Sequence, residues 1–209
     1  MKTLAIIGSG HLGQQIAHYA IADKHYGKVV FFDDVTAEKS VNGHAVLGTS
    51  DAIESAYARQ EFDEILIGIG YKHLNVRAQL FERFDGKIPF GQIVHSSVWV
   101  DPTAQIAAGC VIYPGGVIDA HAKISENTIL NVSCTIAHDT TIGKHCFLSP
   151  RVAVAGFVTT GQQCILGINS TIIDNISMVA HTQIGGGTVV IKNIENPGLY
   201  VGNPHKFIR

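Results

Sequence analysis

A chain of 209 residues with 15 Lys and Arg against 17 Asp and Glu, formal net charge -2, has no basic face to offer nucleic acid or an anionic membrane. No apolar run approaches the ~20 residues of a membrane span, and residues 1–7 are too short and too soon broken by glycine to be a signal peptide. The expected location is cytoplasmic, and the length allows one large domain or two modest ones.

The front of the chain alternates short apolar runs with helically spaced segments. Strands are expected at residues 4–7, 29–32, 65–69 and 93–94, and helices at 11–22, 51–59 and 74–84, with Asp51 and Glu54 spaced as a capping box. Strands alternating with helices imply a parallel, Rossmann-like sheet. The first strand runs into Gly8-Ser9-Gly10-His11-Leu12-Gly13, a formal GxGxxG, and the second ends in Asp33-Asp34. By spacing that is a dinucleotide fingerprint. A dinucleotide site needs two mononucleotide-binding halves, however, and this region has room for one. A single nucleotide is therefore expected, received at the carboxyl edge of the sheet by Gly10, His11, Asp33, Asp34, Gly68 and Gly70. Glycines let backbone approach the phosphates, and the following helix offers its N-terminal amides. The competing reading is ordinary glycine turns and a helix-capping aspartate.

From Val94 to Val190 a period of six takes over. Val, Ile, Leu and Met are 29 of these 97 residues, so proportion alone would put about five on the seventeen sites of any one phase; the phase starting at Val94 holds sixteen, and only Thr160 departs. A second column, four places on, is mostly small: Ala104, Cys110, Gly116, Ala122, Thr128, Cys134, Thr140, Cys146. Neither heptads, a helical stripe nor two-residue alternation produces a strict six. One aliphatic and one small site per repeat is the pattern of a parallel β-helix, with three repeats to each eighteen-residue coil. The aliphatic is expected to fill the prism and the small residue to let the chain turn the corner. The expected domains are 1–92, Rossmann-like, and 93–209, β-helix.

This phase also places other residues. Cys110, Cys134, Cys146 and Cys164 all fall in the small column and lack CxxC spacing, so they read as packing thiols rather than metal ligands or disulfides. Asn127, His145, Gln163 and His181 form a polar ladder, expected to face solvent or a neighbouring subunit. No metal is expected.

A small Rossmann-like domain followed by hexapeptide coils resembles the sugar O- and N-acyltransferases of the sialic acid O-acetyltransferase type. The likeness is strongest to the nucleotide-4-amino-sugar N-acetyltransferases of bacillosamine-like pathways. It is carried by Gly10-His11, Phe32-Asp33-Asp34, Ile67-Gly68-Ile69-Gly70, Ile136-Ala137-His138-Asp139, Gly167-Ile168-Asn169-Ser170, Ile184-Gly185-Gly186-Gly187 and Val201-Gly202-Asn203-Pro204. The resemblance implies a left-handed coil and an acetyl-CoA-dependent N-acetyltransferase acting on a UDP-linked 4-amino sugar. It makes His138 the general base, oriented by Asp139. It assigns the Gly156 amide to the developing oxyanion, and the eighteen-residue coil independently puts Gly156 one layer, roughly 4.8 Å, from His138. It further implies acetyl-CoA contacts at Gly167, Ile168, Gly185, Gly186 and Lys206, and a homotrimer with active sites between subunits.

Three departures from the family pattern stand out. Phe147 occupies the position of a second histidine, Leu12-Gly13 follows His11 where a Gly-Lys pair is common, and His205 replaces an alanine. The alternatives are O-acetylation of a sialic acid-type hydroxyl and, more distantly, a non-catalytic nucleotide-binding scaffold. An NAD-dependent oxidoreductase rests on GxGxxG alone.

Overall fold

The computed structural model describes residues 1–209 and divides into two compact units, Met1–Ile93 and Val94–Arg209. In the first, the elements run β1 (Thr3–Ile7), α1 (His11–Ala22), β2 (Lys28–Phe32), β3 (Ser40–Val41), β4 (His44–Gly48), α2 (Ile53–Ala58), β5 (Glu64–Ile67) and α3 (Leu74–Phe84). The sheet order is β3-β4-β2-β1-β5, with β1 parallel to both β2 and β5. Leu4, Ile6, Phe31, Phe32, Ile65 and Leu66 are fully buried, as strands covered on both faces require.

Register positions the loops. Ile7 pairs with Phe32 on one side and Ile67 on the other, so the next residues, Gly8, Asp33 and Gly68, leave the sheet at one level. Backbone bonds extend the alignment: Gly8 N–H donates to Phe32 O at 2.7 Å, and Gly68 N–H to Ile7 O at 2.8 Å.

Two features differ from expectation here. The β3–β4 hairpin is an addition to the expected strands, although Asn42-Gly43 between strands is the strongest short-range hairpin signal and both residues adopt positive φ, 48° and 80°. The Asp51/Glu54 capping box does not form. A 3-10 turn, Ser50–Ala52, precedes α2, whose N-cap is Ala52; Asp51 pairs instead with Arg83 and Glu54 with Lys87, both on the surface.

The second unit is a left-handed parallel β-helix. Two-residue strands recur every six residues on three sheets, each pairing with the strand eighteen residues on: Ile118 with Ile136, Ile136 with Val154, Val154 with Ile172, Ile172 with Val190. These aliphatics form one continuous core with the small column.

The corner works differently from the expectation. The left-handed residue is the one before the small site: His121, Asn127, Ser133, Asp139, His145, Arg151, Phe157, Gln163, Asn169, Asn175 and His181 all have φ between +54 and +61°. The small residue points inward, and at the four cysteines, Thr128 and Thr140 it donates to a carbonyl fifteen residues on, one coil away. Cys110, Cys134, Cys146 and Cys164 thiols reach Ser125, Ser149, Gly161 and Val179 oxygens at 3.1 to 3.3 Å, just as the Thr128 and Thr140 hydroxyls reach Gly143 and Ala155. Thiol and hydroxyl alternate in this column because each is compact and carries one donor. All four cysteines are free and buried, and burial pushes the Cys134 thiol up to about 11. The polar ladder is likewise internal in part: Asn127 and His145 are buried and bonded to each other at 3.0 Å.

Candidate active site

His138, Asp139 and Gly156 come together on the coil as the eighteen-residue period requires. His138 lies on the exposed side of its corner. The Phe157 amide donates to His138 O at 3.2 Å, which locks the next coil beneath it. Asp139 Oδ2 lies 3.0 Å from His138 Nδ1. With a proton on Nδ1 for that bond, Nε2 carries the lone pair, the arrangement a general base needs. Both side chains are about half exposed, 48% and 40%, so the pair orients more than it stabilises.

Gly156 is glycine for a local reason. A Cβ there would lie 2.7 Å from His138 Cε1 and 2.9 Å from Nε2, so any side chain would displace the imidazole. Its amide is also open. The Ala155 and Phe157 N–H groups bond to Ile172 and His138 carbonyls, while the Gly156 N–H has no backbone acceptor in the coil. At two of the matching corners the Ala120 and Val132 amides are taken by Asp119 and Asn131 side chains, while at others, such as Lys144 and Ala180, the amide has no backbone acceptor either. Ala155 has no such side chain, so the Gly156 donor stays open beside the imidazole.

His121, stacked one coil before Asp139, takes no part in this group. Its amide donates to Thr103 Oγ1 at 2.9 Å. Phe147 is buried on its strand between Ile129 and Ile165.

The three loops at the sheet edge divide by what their glycines do. A Cβ on Gly13 would overlap the Gly8 carbonyl, and one on Gly68 would sit 2.6 Å from Gly13 Cα, so these two serve close packing. Gly10 and Gly70 are different: nothing lies within 4 Å of a Cβ at either, and both have ordinary negative φ. Neither packing nor backbone conformation demands glycine there. Both cap helical turns and face open space, where a missing side chain leaves room for a ligand to meet the amides. His11 is exposed in the first turn of α1.

Asp33 departs from the sequence expectation. Its Oδ2 accepts from Ser9 N and Oγ at 2.6 and 2.7 Å, and its Oδ1 from Val35 and Thr36 amides at 2.8 and 3.0 Å. Those four bonds occupy all the lone pairs of the carboxylate. Partial burial opposes ionisation, yet the Ser9, Thr36 and Val35 donors hold its pKa down to about 2. These bonds tie Asp33 to the glycine loop and to the turn that follows it. Asp34 is exposed and accepts from Ser50 N at 2.6 Å.

The glycines expected near the coil end are likewise accounted for by stacking. A Cβ on Gly167 would lie 2.6 Å from Gly185 C, and one on Gly185 would lie 2.8 Å from Val201 Cγ1. Gly186 packs under Ile168, which is itself exposed, and Lys206 is exposed on the final strand pair. No group of three or more His, Cys, Asp and Glu side chains is placed to hold a metal, and no helix is long and apolar enough to cross a membrane.

Residues 3–84 match the protein family described as the PglD N-terminal domain. No curated protein matches the sequence significantly. Among solved structures, the acetyltransferase domain of PglB from Neisseria gonorrhoeae FA1090, in complex with acetyl coenzyme A, is 27% identical, with a TM-score of 0.91 and 99% of each chain covered. PerB from Caulobacter crescentus, in complex with CoA and GDP-perosamine, is 25% identical, with a TM-score of 0.88 over 100% of this chain and 98% of that one. WeeI from Acinetobacter baumannii AYE shares the fold at 19% identity, with a TM-score of 0.87 and both chains fully covered.

Proposed function

We propose that this chain is a hexapeptide-repeat acetyltransferase of the sugar acyltransferase family, with an N-terminal domain of the PglD type, and that it acetylates the 4-amino group of a UDP-linked amino sugar from acetyl-CoA. The observation that carries this reading is the half-exposed imidazole of His138, held at Nδ1 by Asp139 with the free Gly156 amide beside it.

His138 Nε2 takes the proton as the sugar nitrogen adds to the thioester carbonyl carbon. The Gly156 N–H donates to the oxygen that gains charge, a contact worth about 3 kcal/mol in the transition state. When the C–S bond breaks, the His138 imidazolium returns its proton to the leaving sulfur, and the base is restored. An amine nucleophile needs no covalent enzyme intermediate. Gly10, His11, Asp34 and Gly70 receive the nucleotide, while Gly68 and Asp33 shape the loops that do so. Ile168 and Lys206 meet the acetyl donor through an apolar contact and a charge, and Gly167, Gly185 and Gly186 keep the coil tight beneath them.

The second reading changes the base of the nucleotide: the PerB complex contains GDP-perosamine, which favours a guanine-linked sugar. Free-thiol release from acetyl-CoA, measured with UDP-, GDP- and dTDP-linked 4-amino sugars, separates the two. The UDP sugar is expected to be turned over fastest. Release with a sialic acid hydroxyl acceptor and with none of the amino sugars would contradict N-acetylation.

A homotrimer is part of the same reading, supported by Trp99, Ile168 and Ile191, large apolar side chains left exposed along the coil. Sedimentation equilibrium should give three times the 22.4 kDa chain mass. A cytoplasmic location is proposed from the four free buried thiols.

A further inference from the structure

Phe157 occupies a position its chemistry does not suit. From 109 to 187, every other left-handed corner position of the coil is glycine or a polar or charged residue; only this one is apolar. At φ +57° it shares the strained corner conformation of Arg151 and Gln163, which Asn or Gly would adopt comfortably, but it is the one such residue that leaves an apolar ring there. The ring is not repaid by burial within its own chain, where it is 55% exposed. Strain maintained without a packing reason points to function.

The ring's one distinctive neighbour is the imidazole. Phe157 and His138 are edge-on, with centroids 5.1 Å apart and planes at 85°. The backbone enforces this approach, because the Phe157 amide bonds to the His138 carbonyl, and Gly156 leaves the space between them clear. The Asp139 bond fixes His138 only at Nδ1, and a half-exposed pair of that kind holds weakly against solvent. A perpendicular ring supplies the second restraint, which fixes the plane of the imidazole.

We infer that Phe157 is a positioning residue: its strained ring holds the His138 imidazole in the plane from which Nε2 reaches the acceptor. The inference rests on the proposed role of His138. Phe157 itself touches no reacting atom and acts through His138.

The test uses Phe157→Gly and Phe157→Asn, which relieve the corner, with Phe157→Tyr as the variant that keeps a ring. Both relieving variants should melt at or above the wild-type temperature, by up to about 4 °C. Their kcat should fall roughly tenfold through loss of alignment, with KM for acetyl-CoA within about twofold of wild type, and the Tyr variant should restore turnover. In NMR spectra, the His138 Hε1 resonance should move toward its free-imidazole position in the Gly variant. A Gly variant with wild-type turnover, or one whose turnover and melting temperature fall together, would overturn the inference. If the wild-type protein transfers acetyl to none of the amino sugars, the proposed function fails instead. The NMR comparison then still decides on the ring, and an unmoved Hε1 signal would refute its hold on His138.

Discussion

The two units solve the problem of holding polar groups in place by opposite means. In the coil, position modulo eighteen decides a residue's surroundings: the aliphatic goes inward, the small donor reaches the next coil, and the preceding residue turns the corner. A site there needs only two residues one period apart, as His138 and Gly156 are. In the sheet unit no such period operates, and the candidate site is made of loops that must be tied individually, by Asp33 to Ser9, Val35 and Thr36 and by Gly13 against Gly8. A repeat thus positions chemistry by register, whereas an open sheet positions it by specific bonds at its edge.

The sharpest way to break the coil is to put a charge in its prism. Leu148 is fully buried in the continuous core, and Leu148→Asp should cost more than about 4 kcal/mol, enough to abolish the β-helix by circular dichroism and thermal melting. In the sheet unit, two glycines three residues apart should behave oppositely. Gly13→Ala drives a methyl into the Gly8 carbonyl and should cost about 3 kcal/mol or more, while Gly10→Ala, facing open space, should change stability by less than about 0.5 kcal/mol. Calorimetry should nevertheless show the Gly10→Ala variant binding the nucleotide roughly tenfold more weakly, since its methyl enters the ligand's space. Comparable stability losses at the two positions would remove the distinction between packing and ligand glycines.

Asp33 gives a smaller, pH-dependent effect. Asp33→Asn leaves the Ser9, Val35 and Thr36 donors poorly matched and should cost about 2 kcal/mol in chemical denaturation. The folded pKa of the carboxyl, about 2, lies below the ordinary carboxylate value. The stabilisation is therefore present in full above about pH 4 and is lost as pH falls toward 2. The wild-type protein and the Asp33→Asn variant should converge in stability across that window, and a constant gap would contradict the clamp.

Legibility follows the same division. The coil is readable because its period constrains every sixth residue; the strand positions, the inward cysteines and the neighbourhood of His138 and Gly156 all follow from one phase. The left-handed corner is not, because Asp, Asn, His, Arg and Phe all occupy it and no single residue type marks it. In the sheet unit, apolar runs and helical spacing mark the main strands and helices, but Asp33 has the spacing of a ligand group and the bonds of a loop clamp. That distinction depends on where the Ser9 and Thr36 amides point, which spacing does not encode. The Asn42-Gly43 turn carries a hairpin signal without the flanking apolar alternation that would confirm it, because β3 is two residues long and mostly exposed.

The central claim is that His138 removes the proton from an acceptor amine. The most direct measurement is acetyl-CoA-dependent thiol release by His138→Ala, alongside calorimetric binding of acetyl-CoA and sedimentation of the same preparation. Turnover should fall by about a hundredfold or more, with acetyl-CoA affinity and assembly unchanged from wild type. A variant that keeps more than about a tenth of wild-type turnover would contradict the assignment.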